Sequence, residues 1–129
     1  MKIDIKKFWI ISLVIISNAS FALDINEIVQ TNDYVFSANA NNVCRSHENT
    51  SKKIACYSNH SSAYKKIKKC LENNARESGS VKLRHVESFN TFAIGEVNWK
   101  NQYGGYTGWQ RVELQFNQIN VNNQSFLCN

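Results

Sequence analysis

Residues 61–87 read SSAYKKIKKCLENNARESGSVKLRHVE, and the hydrophobic period changes inside them. In the first half Ala63, Tyr64, Ile67, Cys70 and Leu71 recur at steps of three and four, while Lys65, Lys66, Lys68 and Lys69 fill the positions between. That spacing gathers the apolar side chains into one stripe of a helix and leaves the lysines on its solvated face. Ser61 or Ser62 suits the N-cap, because a hydroxyl accepts one of the unpaired first-turn N–H groups, and Ser78-Gly79 stops the helix near Glu77. Past Gly79 the period falls to two: Val81, Leu83 and His85 or Val86 alternate with Lys82, Arg84 and Glu87. This is the pattern of a strand with one face buried, and it turns His85 inward as a core residue.

Downstream, Phe92, Ile94 and Val97 lie in a second extended run. Val112, Leu114 and Phe116 alternate with Arg111, Glu113 and Gln115 in a third. Asn90-Thr91 turns the first pair, residues 101–105 lead into the third strand, and residues 125–128 form a short last one. The fold class expected is α+β, an amphipathic helix packed on a small antiparallel β-meander of three to four strands. Upstream, residues 23–42 are rich in Asn, Ser and Asp and read as a weakly ordered arm, with one short helical turn over residues 24–29.

The chain of 129 residues is 43% hydrophobic and 19% charged, which excludes a disordered chain and a polytopic membrane protein and leaves room for one domain, residues 23–129. Residues 1–22 read as a secretory signal. Lys2, Lys6 and Lys7 precede an apolar run over residues 8–16, too short to span a bilayer, and Ala22 ends a stretch of small residues suited to cleavage. No membrane anchor is expected after cleavage. Its removal takes three lysines and Asp4 from a formal charge of +5 and leaves +3, a mild basic balance that does not favour nucleic acid as a partner.

All four cysteines, Cys44, Cys56, Cys70 and Cys128, follow that segment, and export puts them where disulfides persist. Four cysteines allow three pairings, and spacing does not choose among them. The preferred arrangement clips Cys44 to Cys56 locally and joins Cys70 on the helix to Cys128 at the C-terminus. The competing reading takes Cys44, His47, Cys56 and His60 as a zinc site of C-x2-H and C-x3-H spacing. Thiolate sites compete poorly with oxidation outside the cytoplasm, and residues 48–55 lack the aromatic and leucine anchors of a finger, so no metal and no cofactor are expected.

Residues 94–109, IGEVNWKNQYGGYTGW, hold four of the five glycines, and three of them, Gly104, Gly105 and Gly108, lie close together among the aromatics Trp99, Tyr103, Tyr106 and Trp109. Glycine admits a tight turn and close backbone approach, and the rings offer flat amphipathic surfaces beside Lys100 and Arg111. The binding residues nominated are therefore Trp99, Lys100, Tyr103, Gly104, Gly105, Tyr106, Trp109 and Arg111. A purely structural alternative has Trp99 and Trp109 packing across the hairpin to cover the helix, and Glu96, Asn98 and Lys100 forming a polar network near Arg111. The stretch resembles a motif of small exported bacterial proteins of uncharacterised function, G-E-V-N-x-K-N-x-x-G-G-Y-x-G, preceded by a segment like D-P-x-S-A-K-F-R-N-V for which residues 80–86 stand here. This chain lacks the Asp-Pro pair and has Ile94 where a cysteine often precedes the Gly-Glu. The resemblance implies a secreted or periplasmic α+β protein and no particular activity.

No catalytic residues are nominated. His47, His60 and His85 with neighbouring lysines are the residue types of a secreted nuclease, yet no spacing marks two histidines as partners. Paired cysteines are poor nucleophiles, and Gly104-Gly105-x-x-Gly108 between strands lacks the helix that cradles phosphate. The function expected is a periplasmic or secreted non-enzymatic binding module whose partner is a protein or an envelope glycan. The alternative is a small hydrolase of a phosphodiester or cell-wall polymer.

Overall fold

A computed structural model describes residues 35–128; the signal segment and the arm up to residue 34 lie outside the described residues. Two helices, α1 (Ala38–Ser46) and α2 (Thr50–Asn74), precede a short 3-10 turn, Ser78–Ser80. Five strands follow: β1 (Lys82–Ser88), β2 (Phe92–Asn98), β3 (Gln110–Gln115), β4 (Gln118–Val121) and β5 (Gln124–Leu127). They form one antiparallel meander in sequence order, so the α+β class holds with one strand more than expected.

α2 starts eleven residues before Ser61. Its N-cap is Asn49, whose Oδ1 accepts the Ser51 N–H at 2.7 Å, and its inward stripe begins with Tyr57 and His60 before reaching Ala63, Ile67, Cys70 and Leu71. Tyr and His carry polar atoms, so the stripe loses contrast just where Ser61-Ser62 offers a plausible cap. The helix ends at Asn74, three residues short of Glu77. α1 takes up residues 38–42 of the expected arm: Ser37 Oγ caps it by accepting the Ala40 N–H at 3.0 Å, and Ala40, Asn41 and Cys44 face inward.

Cys44 is bonded to Cys56 and Cys70 to Cys128, so the preferred pairing is the one present. The first bridge ties α1 to α2, and the second ties the end of α2 to the strand that closes the sheet. Both bridges fit an oxidising compartment. No helix among the described residues is long and apolar enough to cross a membrane.

The inner face of the sheet carries Leu83, Val86, Ala93, Val97, Val112, Leu114, Ile119 and Val121, buried against Ile67 and Leu71 of α2. Leu83 and Val86 are three apart yet share this face. The register explains why: Arg84 pairs with Glu96 and Glu87 with Ile94, so β1 spends one residue more than β2. The extra residue is His85, at φ 55°, and this β-bulge turns it outward, correcting its expected place in the core. Gly95 lies opposite the bulge. A Cβ there would stand 3.3 Å from both Leu83 Cδ1 and Val86 Cγ2.

Beyond the bulge, the edge of β1 is covered. Val86 N–H donates to Val35 O at 2.7 Å, its carbonyl accepts from Ser37 N at 3.0 Å, and Phe36 is buried against Tyr57 with ring centroids 6.1 Å apart. Three further readings change. The inward set of β2 is Ala93, Gly95 and Val97 rather than Phe92 and Ile94. Phe116 leaves the strand for the β3–β4 turn, where it is exposed at φ 55°. β4 went unseen because only Ile119 and Val121 mark its four residues, and Asn122 and Asn123, both at positive φ, turn it into β5.

The bridges span 12 and 58 residues, and constraint of the unfolded chain grows with loop length. Replacing both cysteines of a pair by serine therefore costs about 3 kcal/mol for Cys44–Cys56 and about 4 kcal/mol for Cys70–Cys128. Urea unfolding of the two double variants checks the order.

Candidate functional site at the glycine-rich loop

The loop between β2 and β3 is built around Asn101. Its Oδ1 accepts the N–H groups of Tyr103 (2.9 Å) and Gly105 (3.2 Å), its own N–H donates to Gly105 O (2.8 Å), and its carbonyl accepts from Gly104 N (3.0 Å). At the base, Thr107 N–H reaches Trp99 O at 2.9 Å and Gly108 N–H reaches Asn98 Oδ1 at 3.1 Å. Gly104 and Gly108 take φ 84° and 82°, whereas Gly105 does not enter the left-handed region. The glycine requirement thus falls on Gly104 and Gly108.

This turn divides the nominated residues between two faces. Trp99 lies on the helix side, edge-on to Phe126 with centroids 6.0 Å apart, its Nε1–H donating to Gln110 Oε1 at 3.2 Å. Trp99, Lys100 and Tyr103 border a groove of about 540 Å³ that runs between the end of α2 and β4–β5. Tyr103 is 87% exposed. On the opposite face Tyr106 lies beneath Lys82 Nζ, 4.5 Å from the ring centroid, and Trp109 beneath the Arg84 guanidinium at 3.8 Å. Trp99 and Trp109 therefore do not pack together. Arg111, exposed, sits across from Glu96 in the register of that same outer face.

The expected Glu96–Asn98–Lys100 network is not formed. Glu96 Oε1 takes Arg84 Nε at 3.3 Å and also His85 Nδ1, Asn98 holds Gly108, and Lys100 Nζ pairs with Glu77 Oε2 at 3.1 Å. Asn101, Gln110, Asn122 and Gln124 are site residues that sequence reasoning missed. Asn101 had a signal, since an Asx turn is a natural reading of Asn before Gly-Gly. The other amides come from separate strands and have no common spacing.

No protein-family model, curated protein or solved structure matches this chain.

The histidines occupy different settings. His47 follows α1 as its C-cap, His85 sits on the bulge beside Glu96, and His60 lies under α1 on the inner side of α2. His60 Nδ1 accepts the Ser88 N–H at 2.9 Å, which leaves the proton of the neutral ring on Nε2, 3.9 Å from Cys56 Sγ. His60, Cys44 and Cys56 offer donor atoms within 4.8 Å of one another, but the disulfide has consumed both thiolates and the accepted N–H fixes the tautomer that withholds Nε2 from a metal. His60 borders a second groove, of about 850 Å³, between the helices and the β1–β2 turn, which sequence reasoning also missed.

Two measurements follow from this geometry. Gly104→Val forces a β-branched residue to positive φ and costs about 1–3 kcal/mol, while Gly105→Val, with only Asn101 side-chain atoms near 4 Å, costs well under about 1 kcal/mol. Thermal melts of the pair check the difference. Burial pushes the pKa of His60 below its ordinary value despite the opposing pull of Glu87. The unfolded chain binds this proton at about pH 6.5 and the folded chain only at lower pH, so stability is retained above about pH 6.5 and falls as the pH drops toward the depressed value. Urea unfolding should show this acid-side loss in the wild type and its absence in His60→Gln.

Proposed function

We propose that the protein is an exported, non-enzymatic binding module that takes a neutral, hydroxyl-rich envelope glycan in the groove beside its glycine-rich loop. The observation that carries this reading is the chemistry of the wall. Six of the fourteen residues around the groove are Asn or Gln, set with the rings of Trp99, Tyr103 and Phe126. An amide both donates and accepts, which suits vicinal hydroxyls, and an aromatic face suits the C–H face of a sugar.

Charge is nearly absent from that wall. Among the described lining residues Arg76 and Lys100 are the only ionisable side chains besides Tyr103, and Lys100 is committed to Glu77. With no carboxylate or histidine among the described lining residues, the groove has no acid–base pair to cleave what it holds. The loop is fixed internally by Asn101, so presenting Tyr103 costs little ordering on binding. Two disulfides, the basic–apolar segment of residues 1–22 and the resemblance to small exported proteins support an extracytoplasmic site of action.

Co-sedimentation with purified peptidoglycan sacculi tests the reading. The wild type should pellet with them, and Tyr103→Ala and Gln124→Ala should each weaken retention about fivefold to tenfold through loss of one ring or one amide. Both positions are exposed, so melting should stay within about 3 °C of wild type. Arg111→Ala, on the other face, should bind as wild type does. Failure to pellet, with capture of an envelope protein that depends on Tyr103, would establish a protein partner instead. Release of soluble fragments from the sacculi would establish a hydrolase.

A further inference from the structure

The second groove has a different chemistry. Three large apolar side chains reach it from three separate elements and remain exposed: Val43 of α1 (47%), Phe89 after β1 (43%) and Phe116 between β3 and β4 (77%). Phe89 stacks on Phe92 with centroids 4.7 Å apart, and Ala63, Ala93 and Leu114 line the groove more deeply. Phe116 is costly twice over. Its φ of 55° is a conformation that Asn or Gly adopts readily, as Asn122 and Asn123 do in the next turn, and its ring gains almost nothing from folding. Features that oppose folding, gathered at the rim of a cavity, indicate contact with something outside the fold.

The solvent-exposed charge beside this apolar surface is positive, and the negative charge is buried. Lys66 of α2 borders the groove, is exposed and forms no ion pair with a described residue, and Lys65 and Lys69 flank it on the same helix surface. Glu87 also borders the groove, but its carboxylate is held by Ser37 Oγ at 3.2 Å and by Asn39 Nδ2. Burial favours the neutral form of His60. About 850 Å³ falls within the range of small-molecule sites, roughly 300–1,000 Å³.

We propose that this groove binds a single-chain anionic amphiphile, its alkyl chain lying against Phe89, Phe92 and Phe116 and its carboxylate or phosphate head meeting Lys66. The site uses different residues from the glycan groove and stands or falls independently of it.

Calorimetric titration of the purified protein with sodium laurate below its micellar concentration tests the proposal. Affinity should rise about threefold to fourfold per methylene from octanoate through decanoate to laurate, the factor expected for a buried CH₂. Laurate should bind more tightly than the neutral dodecyl maltoside, and Lys66→Gln should abolish that preference while keeping chain binding. Phe116→Asn should weaken laurate binding at least about fivefold. Because asparagine tolerates the turn, this variant should melt at or above the wild-type temperature, which separates lost binding from lost folding. Binding without chain-length dependence, or unchanged in Phe116→Asn, would overturn the proposal. So would retention on phosphatidylglycerol vesicles with no affinity for monomeric laurate, which would assign the patch to a bilayer surface. Dimerisation abolished by Phe116→Asn, with no laurate binding, would make it a self-association surface.

Discussion

The strand β1 changes phase at His85, and both ends of the molecule are arranged by that change. Before it, Leu83 points to the helix and Lys82 and Arg84 point away. After it, Val86 points to the helix again, its main chain accepts the segment over residues 35–37, and Ser88 presents its N–H to His60. Were β1 to alternate without a break through His85, that residue would point inward, Val86 would leave the core, and the register that joins α1, α2 and the sheet edge would slip by one. The cost is a non-glycine residue at positive φ, held by the surrounding pairings and by its contact with Glu96. Gly95 makes the arrangement possible by leaving space where Leu83 and Val86 converge.

The outward part of β1 determines how much of the glycine-rich loop remains for a ligand. Lys82 and Arg84 stand over the rings of Tyr106 and Trp109, and these contacts tie the loop to the outer face of the sheet. Trp99 and Tyr103 stand on the other side with the amides of β3, the β4–β5 turn and β5. An aromatic, glycine-rich segment thus serves two purposes that its composition does not separate. One half fixes the loop and the other half lines the groove.

The helix–sheet architecture was legible because the period switches from 3.6 to 2 across Gly79, whereas the disulfide pairing was a preference among three arrangements that spacing left open. What escaped had weak contrast. α1 is mostly small and polar, the first half of α2 buries Tyr57 and His60 instead of aliphatic residues, and β4 carries two inward side chains. His85 and Phe116 misled for a single reason, since alternation assumes an unbroken strand and both residues lie where the strand departs from it. Of the nominated site residues, Trp99, Lys100 and Tyr103 border one groove and Tyr106, Trp109 and Arg111 lie on the far face, with the Lys100 ammonium also reaching to 6.0 Å from the Tyr106 ring centroid. A stretch of chain at a hairpin end supplies both faces of a sheet, and spacing cannot assign them once glycines break the alternation.

Recognition on the helix side of the loop is tested most directly by nuclear magnetic resonance titration of the isotope-labelled protein with a neutral amino-sugar disaccharide, N,N′-diacetylchitobiose. The Trp99 indole N–H and the side-chain amides of Gln110 and Gln124 should shift together along one saturable curve, with the Trp109 indole unmoved. Shifts centred on Trp109 and Arg84, or none at saturating disaccharide, would contradict glycan binding in this groove.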